Sequence, residues 1–115
     1  MDEIMNPKTK EQLLSLDENG EKFLAELLDK FLEKVAVEVP AAKEAAAAGD
    51  AHNVGQRIHS MKGAAMSLGL DSLAQTLKDF EAEAKGGELN NATDYFSRLE
   101  PMFQKVKELR ATIKA

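Results

Sequence analysis

Three residues of the segment HSMKGAAMSLG (residues 59–69) could do chemistry together: His59, Lys62 and Gly63. A neutral imidazole offers a nucleophilic nitrogen near physiological pH, and a lysine three residues further along a helix lies within reach of it. The cation disfavours imidazolium and pairs with an anion placed on the free nitrogen, and a phosphoryl group brings close to two negative charges. This chemistry competes with a plain alternative, in which both side chains are merely solvated.

Helical geometry places several further residues on the same side as His59. At about 100° per residue, those within roughly 60° of it are His52, Gly55, Gln56, Lys62, Gly63 and Met66. The apolar stripe of the same helix is centred some 140° away by this arithmetic, so we expect His59 to face solvent or a groove edge. A glycine inside a helix costs roughly 1 kcal/mol relative to alanine, and Gly55 and Gly63 flank the histidine. Both glycines are predicted to point away from the core and to leave the imidazole accessible to a large partner. The alternative role of either glycine is to allow close packing between helices.

The elements that position these residues are divided by three glycine-containing links, AAGDA (47–51), LGLDS (68–72) and KGGEL (85–89). Each link offers a glycine where a helix ends and an acidic residue where the next begins. The apolar residues between the links recur at helical spacing. In the third and fourth helices the stripes are Val54, Ile58, Met61, Ala65 and Leu68, and Leu70, Leu73, Leu77, Phe80 and Ala84.

Prolines mark the remaining helices. Pro7 suits the first turn of a short N-terminal helix that buries Leu13, Leu14 and Leu16. Pro40 and Pro101 fall within long helical patterns, where we expect a kink or a short break. Short links between neighbouring helices predict an all-α fold, an antiparallel up-down-up-down four-helix bundle with a short extra N-terminal helix. We expect one domain over residues 1–115.

Composition excludes several classes of function. The net charge of −5 argues against a nucleic-acid partner, and the chain has no cysteine for a disulfide or thiolate metal site. His52 and His59 lie two turns apart, roughly 10 Å, which is too far for one metal ion, so we expect no metal site. The first ten residues lack the apolar stretch of a secretory signal, and no apolar run is long enough to insert in a membrane. We therefore expect a cytoplasmic protein.

Residues 58–81, IHSMKGAAMSLGLDSLAQTLKDFE, resemble the signature of histidine-containing phosphotransfer (Hpt) domains, which read H-x-x-K-G with small residues and then L-G. The resemblance extends to AAAAGDA, KGGEL and the total length, and therefore covers most of the chain. It implies a four-helix bundle that accepts a phosphoryl group on His59 and passes it to a receiver aspartate. The lysine and glycine of the family fall on Lys62 and Gly63, whereas Ala64 stands where many members have serine.

The resemblance also implies supporting residues and partners. The resemblance implies that Glu81 holds the other ring nitrogen and that Lys85 supplies a further cation. Gln56, from its place on the same side of the helix as His59, is a second candidate for orienting the ring. The implied partners are response-regulator receiver domains and a sensor histidine kinase or hybrid kinase. The protein would be a monomeric carrier rather than an enzyme, with no cofactor of its own and with Mg²⁺ in the partner receiver. The residues expected to dock the partner are Gly63, Gly55, Ala64, Met66 and His52. The alternative function is a helical interaction module that docks a partner through the same face without phosphoryl chemistry.

Overall fold

The computed structural model describes residues 4–114, and these form five α-helices and no β-strand. Residues 1–3 and 115 of the expected domain lie outside the described residues. Helix α2 packs against α3 and α5, and α4 packs against the same two helices, so these four close a bundle that α1 joins through α2. The predicted all-α four-helix bundle with an extra N-terminal helix is confirmed. The helices are α1 (Pro7–Ser15), α2 (Gly20–Ala47), α3 (Ala51–Ser67), α4 (Asp71–Lys85) and α5 (Ala92–Ala111).

The core contains the apolar stripes that the helical spacing predicts. Every residue of the α3 and α4 stripes is buried, and Ile58, Met61, Leu73 and Leu77 are fully inaccessible. Burial of a large aliphatic side chain contributes about 1.5–3 kcal/mol, so the two stripes hold α3 and α4 firmly together. Their packing fixes the relative position of the polar side chains along the outer seam between the two helices.

A repeated turn connects α2, α3 and α4 to the helices that follow. Gly49, Gly69 and Gly87 adopt positive φ values of 72°, 65° and 81°. At each turn the residue after the glycine donates its N–H to the carbonyl five residues earlier, as Leu70 does to Ala65 at 3.0 Å. Glycine reaches this left-handed conformation without the steric penalty of a side chain, and the chain reverses within a few residues.

Helix α1 is fastened to the turn between α3 and α4. Asn6 donates its backbone N–H to the carbonyl of Gly69 at 2.7 Å and caps α1 by accepting from the N–H of Lys8. Leu13 and Leu14 are half-buried against the bundle, as expected. The predicted burial of Leu16 is wrong, because α1 ends at Ser15 and the Leu16 side chain, at the start of the link to α2, is 69% exposed.

The two internal prolines do not interrupt their helices. Helix α2 runs without a break through Pro40, and α5 does so through Pro101. Of the kink or short break expected at each proline, the short break does not occur. Both prolines lie on the exposed side of their helices, while Ala42 and Phe103 close by are buried. Packing of the buried side outweighs the loss of one hydrogen bond on the solvent side. None of the helices within residues 4–114 is long and apolar enough to cross a membrane.

Candidate functional site

His59 lies on the outer side of α3, next to α4. Its side chain is 62% exposed, which agrees with the helical arithmetic. The Nδ1 atom lies 2.8 Å from Oε2 of Glu81, a residue 22 positions later in the chain. The imidazole is therefore held at one nitrogen, while much of the ring remains open to solvent.

Glu81 is the centre of a charged cluster at the seam between α3 and α4. Its side chain is only 4% exposed, and Oε1 accepts from Nζ of Lys62 at 2.7 Å. Oε2 accepts from Nζ of Lys85 at 2.8 Å, in addition to Nδ1 of His59. A carboxylate is costly to bury unless it is paired and hydrogen-bonded, and the two lysines and the histidine meet that requirement.

The hydrogen bonds of the cluster keep Glu81 ionised and fix which ring nitrogen of His59 donates. Burial opposes ionisation of the Glu81 carboxyl, but hydrogen bonds from Lys62, Lys85 and His59 outweigh it and lower the pKa from its usual 4.5 to about 2. An ionised carboxylate only accepts hydrogen bonds, so Nδ1 of His59 must carry the proton that joins them. In the neutral ring the other nitrogen, Nε2, then has a free lone pair.

Lys62 and Lys85 differ in their surroundings. The Lys62 side chain is 20% exposed and reaches across from α3 to α4, whereas Lys85 is 65% exposed and stands four residues after Glu81 on the same helix. One carboxylate and two ammonium groups leave one positive charge beside the imidazole. Among the residues that the structure describes, no group of three or more His, Cys, Asp or Glu side chains could hold a metal ion.

A groove of about 690 Å³ runs along the seam beside His59. Gly55 lies at its base, where an added Cβ would stand 3.7 Å from the Cβ of Ala84. Gly55 is buried, so the expectation that it points away from the core is wrong. Gly55 and Ala84 are both small, and this lets α3 and α4 approach each other closely here. The lining residues are Ala51, His52, Gly55, Gln56, His59, Ala84, Lys85 and Gly87.

The other predicted residues are divided between the groove and the turns of α3 that follow His59. His52 and Gln56 are exposed and line the groove. Gln56 does not bond to the ring: within residues 4–114 the only side-chain hydrogen bond of His59 goes to Glu81. Gly63 is exposed, and an added Cβ would meet no atom of residues 4–114 within 4 Å beyond the adjoining stretch of α3 itself. Met66 is 62% exposed, whereas Ala64 is partly buried against the core.

The sequence pattern does not predict the bond between Lys62 and Glu81: it places Lys62 beside the imidazole and indicates no carboxylate partner for it. The spacing of Glu81 and Lys85, four residues apart on one helix, is a recognisable signal for an ion pair. No such local signal joins Lys62 to Glu81, because their contact depends on how α3 packs against α4.

Comparison with known proteins agrees with this fold. The sequence profile of the Hpt domain family matches residues 26–111, and the chain belongs to that family. The fold is similar to the crystal structure of histidine-containing phosphotransfer protein B (HptB) from Pseudomonas aeruginosa PAO1, with a TM-score of 0.87 and 26% sequence identity. That match covers 97% of this chain and 95% of the other. A search of curated proteins gives no significant match.

Family membership defines the class of protein and its role. The chain is a histidine phosphotransfer domain of two-component phosphorelays. Such domains pass phosphoryl groups between kinases and receiver domains, and they are carriers rather than classical enzymes.

Proposed function

We propose that His59 is the residue that carries the phosphoryl group and that Nε2 is the atom that accepts it. The observation that carries this proposal is the hydrogen bond of 2.8 Å between Nδ1 of His59 and Oε2 of Glu81. It places the proton on Nδ1 and leaves the lone pair on Nε2, while the 62% exposure of the side chain gives a partner access.

The transfer itself is a displacement at phosphorus. The Nε2 lone pair forms an N–P bond to the acyl phosphate of a receiver aspartate, the P–O bond to that aspartate breaks, and its carboxylate leaves. Nδ1 keeps its proton throughout, so the ring becomes positively charged, and the ionised Glu81 carboxylate beside it compensates that charge. The same step runs backwards toward the aspartate of a second receiver.

The receiver supplies most of what accelerates this step. Phosphoryl transfer needs mainly positioning and neutralisation of charge, and the cluster around Glu81 offers one nucleophile and one surplus positive charge. The partner's active site provides Mg²⁺ and the alignment of the acyl phosphate, so the isolated protein is nearly inert.

The net charge of −5 favours a monomer in solution, because like-charged copies of the protein repel one another.

Label transfer from phosphorylated receivers tests the proposal against a pure docking function. The protein is incubated with candidate receivers carrying labelled phosphate, and label on the protein is then exposed to acid and to alkali. A phosphohistidine carrier acquires label that acid removes and alkali does not. Binding to a phosphorylated receiver without acquiring label, or label that survives acid, would favour the interaction module instead.

A further inference from the structure

The four bundle helices follow one another around the bundle in the order α2, α3, α4 and α5. The seam between α2 and α5 therefore lies opposite the α3–α4 seam that carries His59. A cavity of about 550 Å³ opens along this opposite seam and adjoins a second of about 410 Å³, with Lys43, Phe96 and Glu100 lining both. We call the two together the α2–α5 groove. A molecule bound in the α2–α5 groove leaves His59 free to react.

The α2–α5 groove is a fixed feature of the fold, because α5 is fastened near both of its ends. Near the last turn of α5, Arg110 donates from Nε and Nη2 to the carboxylate of Asp29 on α2, at 2.8 and 3.3 Å. Near the first turn of α5, the Tyr95 hydroxyl donates to the carboxylate of Glu83 on α4. The middle of α5 borders the groove between these two attachments. The apolar floor of the groove is formed by Val35, Val39, Phe96, Leu99 and Phe103.

Both prolines inside helices line this groove, Pro40 from α2 and Pro101 from α5. Proline destabilises a helix interior more than any other residue, and neither ring is buried in the core. Because proline has no N–H, Pro40 leaves the carbonyl of Ala36 without its helical donor, and the carbonyl of Ser97 loses its donor in the same way. Ala36 and Ser97 both line the groove. Two unfavourable residues therefore free two backbone acceptors along one surface, and such departures from local preference are expected at functional sites.

Three exposed side chains border the groove and have no ion-pair partner among residues 4–114: Lys43, Glu100 and Lys107. Nζ of Lys43 lies 5.8 Å from the centre of the Phe96 ring. Glu100 follows one turn after Phe96, and Lys107 lies about 10 Å further along α5 at a rise of about 1.5 Å per residue. The charges therefore alternate along the groove in the order positive, negative, positive. A partner that complements them carries the order negative, positive, negative.

We propose that the α2–α5 groove binds an amphipathic helix of a partner protein that carries an arginine between two acidic residues. The apolar side of that helix covers the floor of the groove. Its central guanidinium, a planar fork of N–H donors, bonds to the carboxylate of Glu100 and to the carbonyl of Ser97 one turn before it. Its acidic residues pair with Lys43 and Lys107. The groove thus holds the protein beside a partner while His59 remains accessible on the opposite side.

A synthetic helical peptide of about 15 residues is the probe for this site. It carries leucines along one side, a central arginine, one glutamate a turn to one side of the arginine and another glutamate two turns to the other side. Titration of ¹⁵N-labelled protein with the peptide should shift the amide resonances of Phe96 and Leu99 and leave those around His59 unchanged. Phosphoryl uptake from phosphoramidate should be the same for the free protein and for the protein saturated with peptide.

A pair of charge reversals tests the assigned register. Glu100→Lys reverses the central charge of the groove, and Glu108→Lys makes the same change at an exposed position of α5 that does not line it. Glu100→Lys should weaken peptide binding about tenfold relative to Glu108→Lys. A second peptide, with glutamate in place of the central arginine, should recover that loss in Glu100→Lys alone.

The prolines have a test of their own. Pro101→Ala restores an N–H donor to the carbonyl of Ser97, so it should raise the melting temperature and weaken binding of the arginine peptide about threefold. A proline that is merely tolerated in the helix predicts the first effect without the second.

The inference is overturned if the peptide does not bind, if it shifts the α3–α4 seam instead of the groove, or if Glu100→Lys and Glu108→Lys bind it alike. Wild-type affinity in Pro101→Ala would also contradict it. Sedimentation of the protein alone examines the other occupant: self-association that Glu100→Lys alters would assign the groove to a second copy of this chain. Failure of the proposed function is seen separately, because a protein that binds the peptide but gains no acid-labile phosphate keeps the groove and loses only the role of His59.

Discussion

His59 and Glu81 are joined through Nδ1 and Oε2 at 2.8 Å although 22 residues separate them in sequence. The bond crosses from α3 to α4, so the orientation of the imidazole depends on the packing between these helices. That packing is close because Gly55 lies against Ala84 near the site. The imidazole of His59 is therefore oriented by a tertiary contact rather than by its own helix.

The first prediction concerns the acceptor residue. His59→Gln should abolish phosphoryl uptake from both a receiver and phosphoramidate, because it removes the free ring nitrogen. It should change the free energy of unfolding little, since the side chain is 62% exposed. His52→Gln, at an exposed position along the same groove, is the matched control and should keep uptake near the wild-type level. Persistent acid-labile label on the first variant would contradict the assignment.

A second prediction concerns the Glu81 carboxylate. Glu81→Gln leaves Lys62 in a partly buried position without its counter-charge, so it should destabilise the fold by about 1–3 kcal/mol. Uptake from phosphoramidate should slow by one to two orders of magnitude, because nothing compensates the positive charge that the ring gains. Asp79→Asn removes an exposed carboxylate from the same helix and is the control for both measurements. If the two variants unfold and take up phosphate alike, the Glu81 carboxylate supports neither the stability of the fold nor phosphoryl uptake.

A third prediction concerns acid. Interaction with Lys62, Lys85 and His59 depresses the pKa of Glu81 from 4.5 to about 2 in the folded protein, so the unfolded chain takes up the proton first. The stability that this carboxylate contributes is fully present above about pH 4.5 and is lost as the pH falls toward 2. The shift corresponds to at most about 3 kcal/mol.

Denaturation of wild type and of Glu81→Gln at a series of pH values measures this contribution. The difference in unfolding free energy between the two proteins should be constant near neutral pH and shrink between pH 4.5 and 2. A difference that stays unchanged down to pH 2 would show that Glu81 is not ionised in the way proposed.

The helices of this fold could be read from the sequence because their determinants are local. The apolar stripe that includes Ile58 and Met61, and the glycine turn at Gly69, each depend on spacing within one segment. The continuity of α2 through Pro40 could not be read in the same way. It depends on burial of the opposite side of the helix, which is a property of the assembled bundle.

In the candidate site, too, some features depend on one helix alone and others depend on how two helices pack together. The exposure of His59 follows from its angle on a single helix. The burial of Gly55 and the bond from Lys62 to Glu81 depend on the distance between α3 and α4, which the pattern of one helix does not contain. The family resemblance therefore indicates the residues of the cluster and the contact between Glu81 and a ring nitrogen of His59, but the sequence does not predict the bond from Lys62 to Glu81.

A fourth prediction separates a glycine required by the backbone from one that is not. Gly69 has a φ of 65°, and an added Cβ would lie 2.6 Å from the Cβ of Thr9. Gly69→Ala should therefore destabilise the protein by about 1–3 kcal/mol through backbone strain and displacement of α1. Phosphoryl transfer to His59 should persist at temperatures where the variant is folded. An unchanged melting temperature would show that neither the strain nor the contact with Thr9 matters.

The last prediction concerns Gly63, which lies one turn after His59 on its exposed side. Among the described residues, an added Cβ at this position would meet no atom within 4 Å beyond the adjoining stretch of α3, so Gly63→Gln should keep or raise the melting temperature. Glutamine is the better helix former by several tenths of a kcal/mol or more.

The same side chain stands beside the ring that a receiver must approach, because residues four apart on a helix are neighbours. Transfer from a receiver should therefore fall at least about tenfold, whereas labelling by phosphoramidate, a small donor, should change less than about twofold. Gly63→Ala adds far less bulk at the same position and should lie between wild type and Gly63→Gln in receiver transfer. If both donors lose activity together and the melting temperature falls, Gly63 serves packing rather than access. If receiver transfer is untouched, the partner approaches His59 from the groove side of α3, where His52 and Gln56 lie.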